Sequence, residues 1–194
     1  HRINIYDFIH SSPQKTWDLR QHFQRMPATH VAAVYPIFVV ELLPRHGRTG
    51  GTWWCQDVRG RWEGQEHCTG VSMETLTDLV IRPETGLIAI PRNKWEAAIH
   101  HVTVFHEVGH SVDHWRRLYP RGTTHTEFNG IKAFPPGTNS LGEHAVEAYA
   151  RVIYRARTLC RQDMLSEIPE GNLAGGDRRV ERLLQRSPAF QGVA

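Results

Sequence analysis

Val104-Phe105-His106-Glu107-Val108-Gly109-His110-Ser111-Val112-Asp113 carries a His-Glu-x-x-His spacing, and the reading of this stretch decides the fold. On a helix, His106 and His110 stand four residues apart, so both imidazoles project from one face about one turn apart and can grip a single metal ion. Glu107 lies beside His106 around the helix, placed to act as general base towards water at that ion. The expected chemistry is hydrolysis.

The residues around the motif favour a helix. Trp95 to Leu118 contains no proline and is bounded by Pro91 and Pro120. Ala98, Ile99, Val102, Phe105, Gly109 and Val112 occupy one arc, and Val104, Val108, Ser111 and Trp115 continue it round the back. A helix this apolar is expected to be buried. Burying two imidazoles and a carboxylate without partners would cost on the order of several kcal/mol, and a metal ion satisfies all three. Gly109 lowers helix propensity by about 1 kcal/mol relative to alanine, as expected where another backbone passes close. The same spacing also arises by chance in chains that bind no metal; the buried context, the glycine and a second constellation weigh against chance here.

That second constellation is Ser140-Leu141-Gly142-Glu143-His144-Ala145-Val146-Glu147-Ala148-Tyr149-Ala150-Arg151-Val152-Ile153-Tyr154. Helical spacing puts Glu143, Glu147, Ala150 and Tyr154 on one face, with Ala145, Val146, Tyr149, Val152 and Ile153 spread around the others. Two carboxylates on a largely apolar helix need a cation. The pattern fits a helix that brings a third protein ligand to zinc and leaves a fourth position for water. Ser140 and Glu143 also make a capping box, in which the glutamate would serve the helix start and Glu147 would be the ligand. The residues alone leave both assignments open.

Together the two stretches resemble the zinc metallopeptidases of the anthrax lethal factor and Pro-Pro endopeptidase type, in which a His-Glu-x-Gly-His-x-x-Asp helix is followed by a Glu-x-x-x-Glu-Ala-aromatic helix. The likeness covers residues 88–155, roughly a third of the chain. It implies a zincin-like fold and one Zn2+ held by His106, His110 and Glu143, with Glu107 as general base. Glu147 and Asp113 would orient the ligands. One position departs from the family: a tyrosine seven residues before the ligand glutamate assists the developing oxyanion, and here that position is Pro136. Tyr149, Tyr154, His144 and His125 are then the candidates for the helper.

With 194 residues and 40% hydrophobic composition, the chain suffices for one compact domain. Residues 1–92 read as an N-terminal helix and sheet, and 93–194 as the helical part that carries the zinc site. Ser12-Pro13 caps and opens a helix through Trp17, Leu19 and Phe23 to about Met26. Pro36-Ile37-Phe38-Val39-Val40-Glu41-Leu42-Leu43 reads as a buried strand, and Thr77–Arg82 and Gly86–Pro91 as two short strands around a turn. A strand leading into the metal helix can border the cleft and hold an extended peptide at its edge, or be an ordinary covered strand. His1, His10, His22, His30 and His46 read as surface residues.

The loop Arg121 to Asn139 is long for a compact domain and separates the two halves of the presumed site, where it would form a cleft wall. Cys55 and Cys68 flank a Gly-, Arg- and Trp-rich loop that a disulfide would fix; free thiols are the competing reading, and a second metal site through His67 lacks the Cys-x-x-Cys spacing. Cys160 reads as a buried free thiol.

Net charge is +3 and the pI about 8.9, with the basic residues scattered. Arg178, Arg179, Arg182 and Arg186 cluster modestly and are interrupted by Glu181, which reads as a solvated helix face and not a nucleic-acid patch. No apolar run approaches the roughly 18 residues of a membrane span. The chain shows no signal peptide and no initiator methionine, so a mature fragment or a domain excised from a longer protein is expected.

The expected fold is α+β: a small, twisted, mainly antiparallel sheet packed on the active-site helix and the Glu143 helix, closed by a third helix around Asp177 to Arg186. The leading functional expectation is a zinc metalloendopeptidase acting on protein or peptide substrates, a monomer. Its likeness to lethal factor suggests a bacterial toxin or effector domain, secreted or periplasmic, delivered into a target cell by a fused partner domain. A zinc hydrolase of non-protein amides such as peptidoglycan peptides is the alternative. A third is a non-catalytic zinc-binding module, which the missing tyrosine favours and the intact Glu107 opposes.

Overall fold

Strands that are apolar at every position, and not at every second one, are covered on both faces, the usual environment of parallel strands. Ile37-Phe38-Val39-Val40 (β2) and Leu87-Ile88-Ala89-Ile90-Pro91 (β5) are two such runs. Every side chain from Ile37 to Val40 and from Leu87 to Ile90 is fully buried. The computed structural model describes residues 3–24, 26–41, 52–56, 62–63, 87–96, 100–128, 140–158 and 177–191, with only the backbone described for 52–56, 62–63, 100–103, 151–158 and 177–178.

With β1 (Ile5–Asp7), β3 (Thr52–Gln56) and β4 (Trp62–Glu63), these strands form one sheet in the order β1-β2-β5-β3-β4. β1 runs parallel to β2, with Ile5 opposite Ile37, and β2 runs parallel to β5, with Ile37 opposite Ile88. β3 is antiparallel to β5, with Thr52 opposite Ala89, and β4 is antiparallel to β3. The expectation of a mainly antiparallel sheet is therefore corrected: three adjacent strands are parallel, and antiparallel pairing begins only at β3. The unbroken apolar runs of β2 and β5 carried that signal.

Among the described residues the helices are α1 (Pro13–Gln24), α2 (Ala28–Val31), α3 (Arg92–Trp95), α4 (His100–Arg116), α5 (Leu141–Thr158) and α6 (Asp177–Gln185), with a 3-10 turn at His125–Phe128. α1 buries Leu19, His22 and Phe23, and Phe23 meets Phe105 of α4 edge-on with ring centroids 5.7 Å apart. Trp17, on its outer face, is exposed.

The single helix expected from Trp95 to Leu118 is two. Trp95 belongs to α3, fully buried, where its indole N–H donates to Ser11 Oγ at 2.7 Å. α4 begins at His100 and ends where Arg117 adopts φ +56°. Trp115, expected on the buried arc, is 53% exposed, because the helix outruns its cover by a turn. His22 and His30 are buried, against the surface reading.

α5 lies directly on α4, and Gly109 makes this possible. A Cβ at Gly109 would stand 3.0 Å from Val146 Cβ and 3.2 Å from Tyr149 Cδ1. The close approach carries the first turns of α5 over His106 and His110. The strand expected at Thr77–Arg82, the Cys55–Cys68 pairing, Cys160, and residues 129–139 with Pro136 lie outside the described residues.

Candidate metal centre

Four residues of spacing on α4 and four on α5 meet across the Gly109 contact. Glu143 reaches both histidines: its Oε2 is 3.3 Å from His106 Nε2 and its Oε1 is 3.4 Å from His110 Nε2. One donor atom from each of these three residues lies within 4.8 Å of the others. Two donors that each bind a tetrahedral zinc ion at about 2.0–2.1 Å stand about 3.4 Å apart, so this spread needs little contraction to hold one ion. The His106 and His110 rings are nearly perpendicular, at 79°, with centroids 5.1 Å apart.

Glu147 takes the other side of His106, accepting a hydrogen bond from Nδ1–H at 2.9 Å. A histidine whose Nδ1–H is held by a carboxylate has its Nε2 directed towards a metal, the arrangement that fixes the ligand tautomer in zinc sites. The two alternatives left open by sequence thus take different places. Glu143 faces both Nε2 atoms, and Glu147 is on Nδ1 of one of them.

Electrostatics follow from burial. Burial opposes a proton on His106, but the hydrogen bonds to Glu143 and Glu147 outweigh it and raise the group to about 10. His110, buried beside His106, is lowered to about 4. Burial also pulls Glu143 towards its neutral form, yet the two histidines hold it below the usual carboxylate range. Glu107, only 6% exposed, is pushed up to about 7, chiefly by burial, against the pull of His106.

The remaining expected site residues take other contacts. Asp113 Oδ1 accepts the Leu118 N–H at 2.7 Å and ties down the end of α4. Tyr149, a candidate oxyanion helper, is fully buried, and its hydroxyl lies 3.2 Å from His30 Nδ1. His30 Nε2–H donates to the Ala189 carbonyl at 2.7 Å, so Nδ1 is the acceptor and the tyrosine hydroxyl donates. His144, next to Glu143, and His125 in the 3-10 turn stand edge-on with centroids 5.7 Å apart. Tyr154 is on α5, and its side chain lies outside the described residues.

His30 was missed by sequence reasoning, which read it as a surface histidine. Its signal lies in Tyr149, a buried hydroxyl that needs a partner from elsewhere in the chain. No protein family, curated protein or solved structure matches this chain.

Proposed function

We propose that the chain is a zinc-dependent metallopeptidase that hydrolyses peptide bonds in protein or peptide substrates. The observation that carries this reading is the meeting of His106, His110 and Glu143 at ligand distances with a buried carboxylate, Glu107, next in sequence to the first ligand. His106, His110 and Glu143 would hold the ion, and their nitrogen and carboxylate donors suit zinc. Zinc bound there would supply Lewis acidity towards the scissile carbonyl and a water of lowered pKa.

The chain's own residues do the rest. Glu147 fixes the ring orientation of His106. Glu107, a buried carboxylate beside the first histidine, takes a proton from the attacking water and passes it to the leaving amine. A site that used zinc for stability alone would not need that base, which is why catalysis is preferred over a binding module. The resemblance of the two motifs to lethal-factor-type enzymes supports a secreted toxin or effector setting as part of this reading.

The test is zinc content of purified wild type and Glu107→Gln by elemental analysis, together with cleavage of an unbiased peptide library with and without chelator. One zinc per chain in both proteins and chelator-sensitive cleavage in the wild type alone is expected. Full cleavage by Glu107→Gln would remove the general-base assignment, and a chain that takes up no zinc would remove the whole reading.

A further inference from the structure

A groove of about 780 Å³ opens at the C-terminal end of α4, walled by Trp115, Arg116, Arg117 and Tyr119, with Thr29 of α2 and Pro188 on the far side. Trp115 projects there at 53% exposure, with His114 edge-on to it at 5.3 Å and Tyr35 at 6.3 Å. The Arg117 guanidinium stands 5.7 Å from the Tyr119 ring centroid. Neither Arg116 nor Arg117 forms an ion pair among the described residues. The carboxylate that also lines the groove, Asp113, has its Oδ1 on the Leu118 amide and also attracts Arg117, so two guanidiniums against one carboxylate leave the lining net positive.

The groove lies along α4 from the metal centre, with Asp113 in its wall. Asp113 stands one turn beyond His110, and its Oδ2 lies 4.0 Å from where a Cβ on Gly142 would be, immediately before Glu143. Arg116 follows His110 by six residues, roughly 9 Å along the helix axis. An extended peptide covers that distance in about three residues.

We propose that this groove receives an acidic segment of the peptide substrate, with its carboxylates on Arg116 and Arg117 and an apolar side chain laid on Trp115. The proposal rests on the peptidase reading and adds a preference for acidic residues about three positions from the scissile bond. Charge complementarity selects an acidic peptide over nucleic acid. Two guanidiniums are few beside the roughly 6–10 phosphate contacts of a typical nucleic-acid site.

The experiment uses zinc-loaded Glu107→Gln protein, fluorescein-labelled decapeptides rich in Asp and Glu with one Leu, and matched peptides with Asn and Gln in their place. Anisotropy at low salt should show the acidic peptide binding at least about tenfold tighter, with the preference gone in Arg116→Glu/Arg117→Glu and much reduced at high salt. In the wild type, the same double substitution should raise KM for acidic peptides while kcat, zinc content and cleavage of neutral peptides stay unchanged. Equal binding of the two peptides, or a preference that survives the reversal, overturns the proposal. Tighter binding of a single-stranded oligonucleotide of equal charge overturns it in favour of nucleic acid. Should the double variant fail to fold, Arg116→Gln alone and Trp115→Ala alone carry the same expectation at smaller size. Because anisotropy needs no turnover, absence of all cleavage would count against the peptidase reading and leave the groove measurement standing.

Discussion

Glu147 Oε2 lies 2.9 Å from His106 Nδ1, on the opposite side of the ring from Glu143. On the proposed reading, this gives two glutamates of one helix face different tasks, Glu143 as a ligand and Glu147 as the carboxylate that orients His106. Glu143→Ala should therefore abolish stoichiometric zinc binding, while Glu147→Gln keeps one zinc per chain at an affinity about 10–100-fold weaker. Competition with a chromophoric chelator reads both values. Equal losses in the two variants would return Glu147 to the status of a ligand.

Gly109→Ala sets two effects against each other. Alanine improves helix propensity by about 1 kcal/mol. The new methyl, however, would press on Val146 Cβ at 3.0 Å and on the Val146 backbone Cα at 3.2 Å. Overpacking of this kind costs about 1–3 kcal/mol, so the net effect is destabilising by about 1 kcal/mol, with weaker zinc binding as α5 is pushed away. Thermal melts with and without zinc test it. A variant more stable than wild type would mean that the two helices are not in that contact.

The site was more legible than the scaffold, for a physical reason. His106, His110, Glu143 and Glu147 are costly groups on apolar helices, so their spacing already suggests that they satisfy one another in one place. Gly109, likewise, is costly enough to predict a close neighbour. Strand direction is different: Ile37–Val40 and Leu87–Pro91 announce burial on both faces, but pairing depends on residues distant in the chain. The break between Trp95 and His100 escaped because no proline or glycine marks it. Trp115 misled because periodicity cannot tell where a helix outruns its cover, and His30 because its partners lie 119 and 159 residues away.

Tyr149→Phe distinguishes a structural tyrosine from an oxyanion helper. Its hydroxyl donates to the buried His30, so removing it loses a buried hydrogen bond at a cost of about 0.5–1.5 kcal/mol. Chemical denaturation should show that loss, with kcat within about threefold of wild type, well below the 10²-fold or greater loss expected when an oxyanion donor is removed. A hundredfold fall in kcat at unchanged stability would restore Tyr149 to the chemistry.

The metal-free and zinc-bound proteins should respond to pH in opposite senses. His106 is raised from 6.5 to about 10, so its contribution is full below 6.5 and is lost as pH rises towards 10. Glu107, raised from 4.5 to about 7, works in the same direction between those values. His110 is lowered from 6.5 to about 4, so its contribution is full above 6.5 and disappears as pH falls towards 4. Metal-free stability should therefore peak in the mildly acidic range and decline towards alkaline pH. Zinc must displace the proton on His106 Nε2, so its apparent affinity should rise with pH and each ion bound should release about one proton near neutrality. Calorimetric titrations in buffers of different ionisation enthalpy count that proton, and melts across pH follow the stability. Zinc binding that releases no proton, or a metal-free chain most stable at alkaline pH, would show that His106 is not held between Glu143 and Glu147 as a cation.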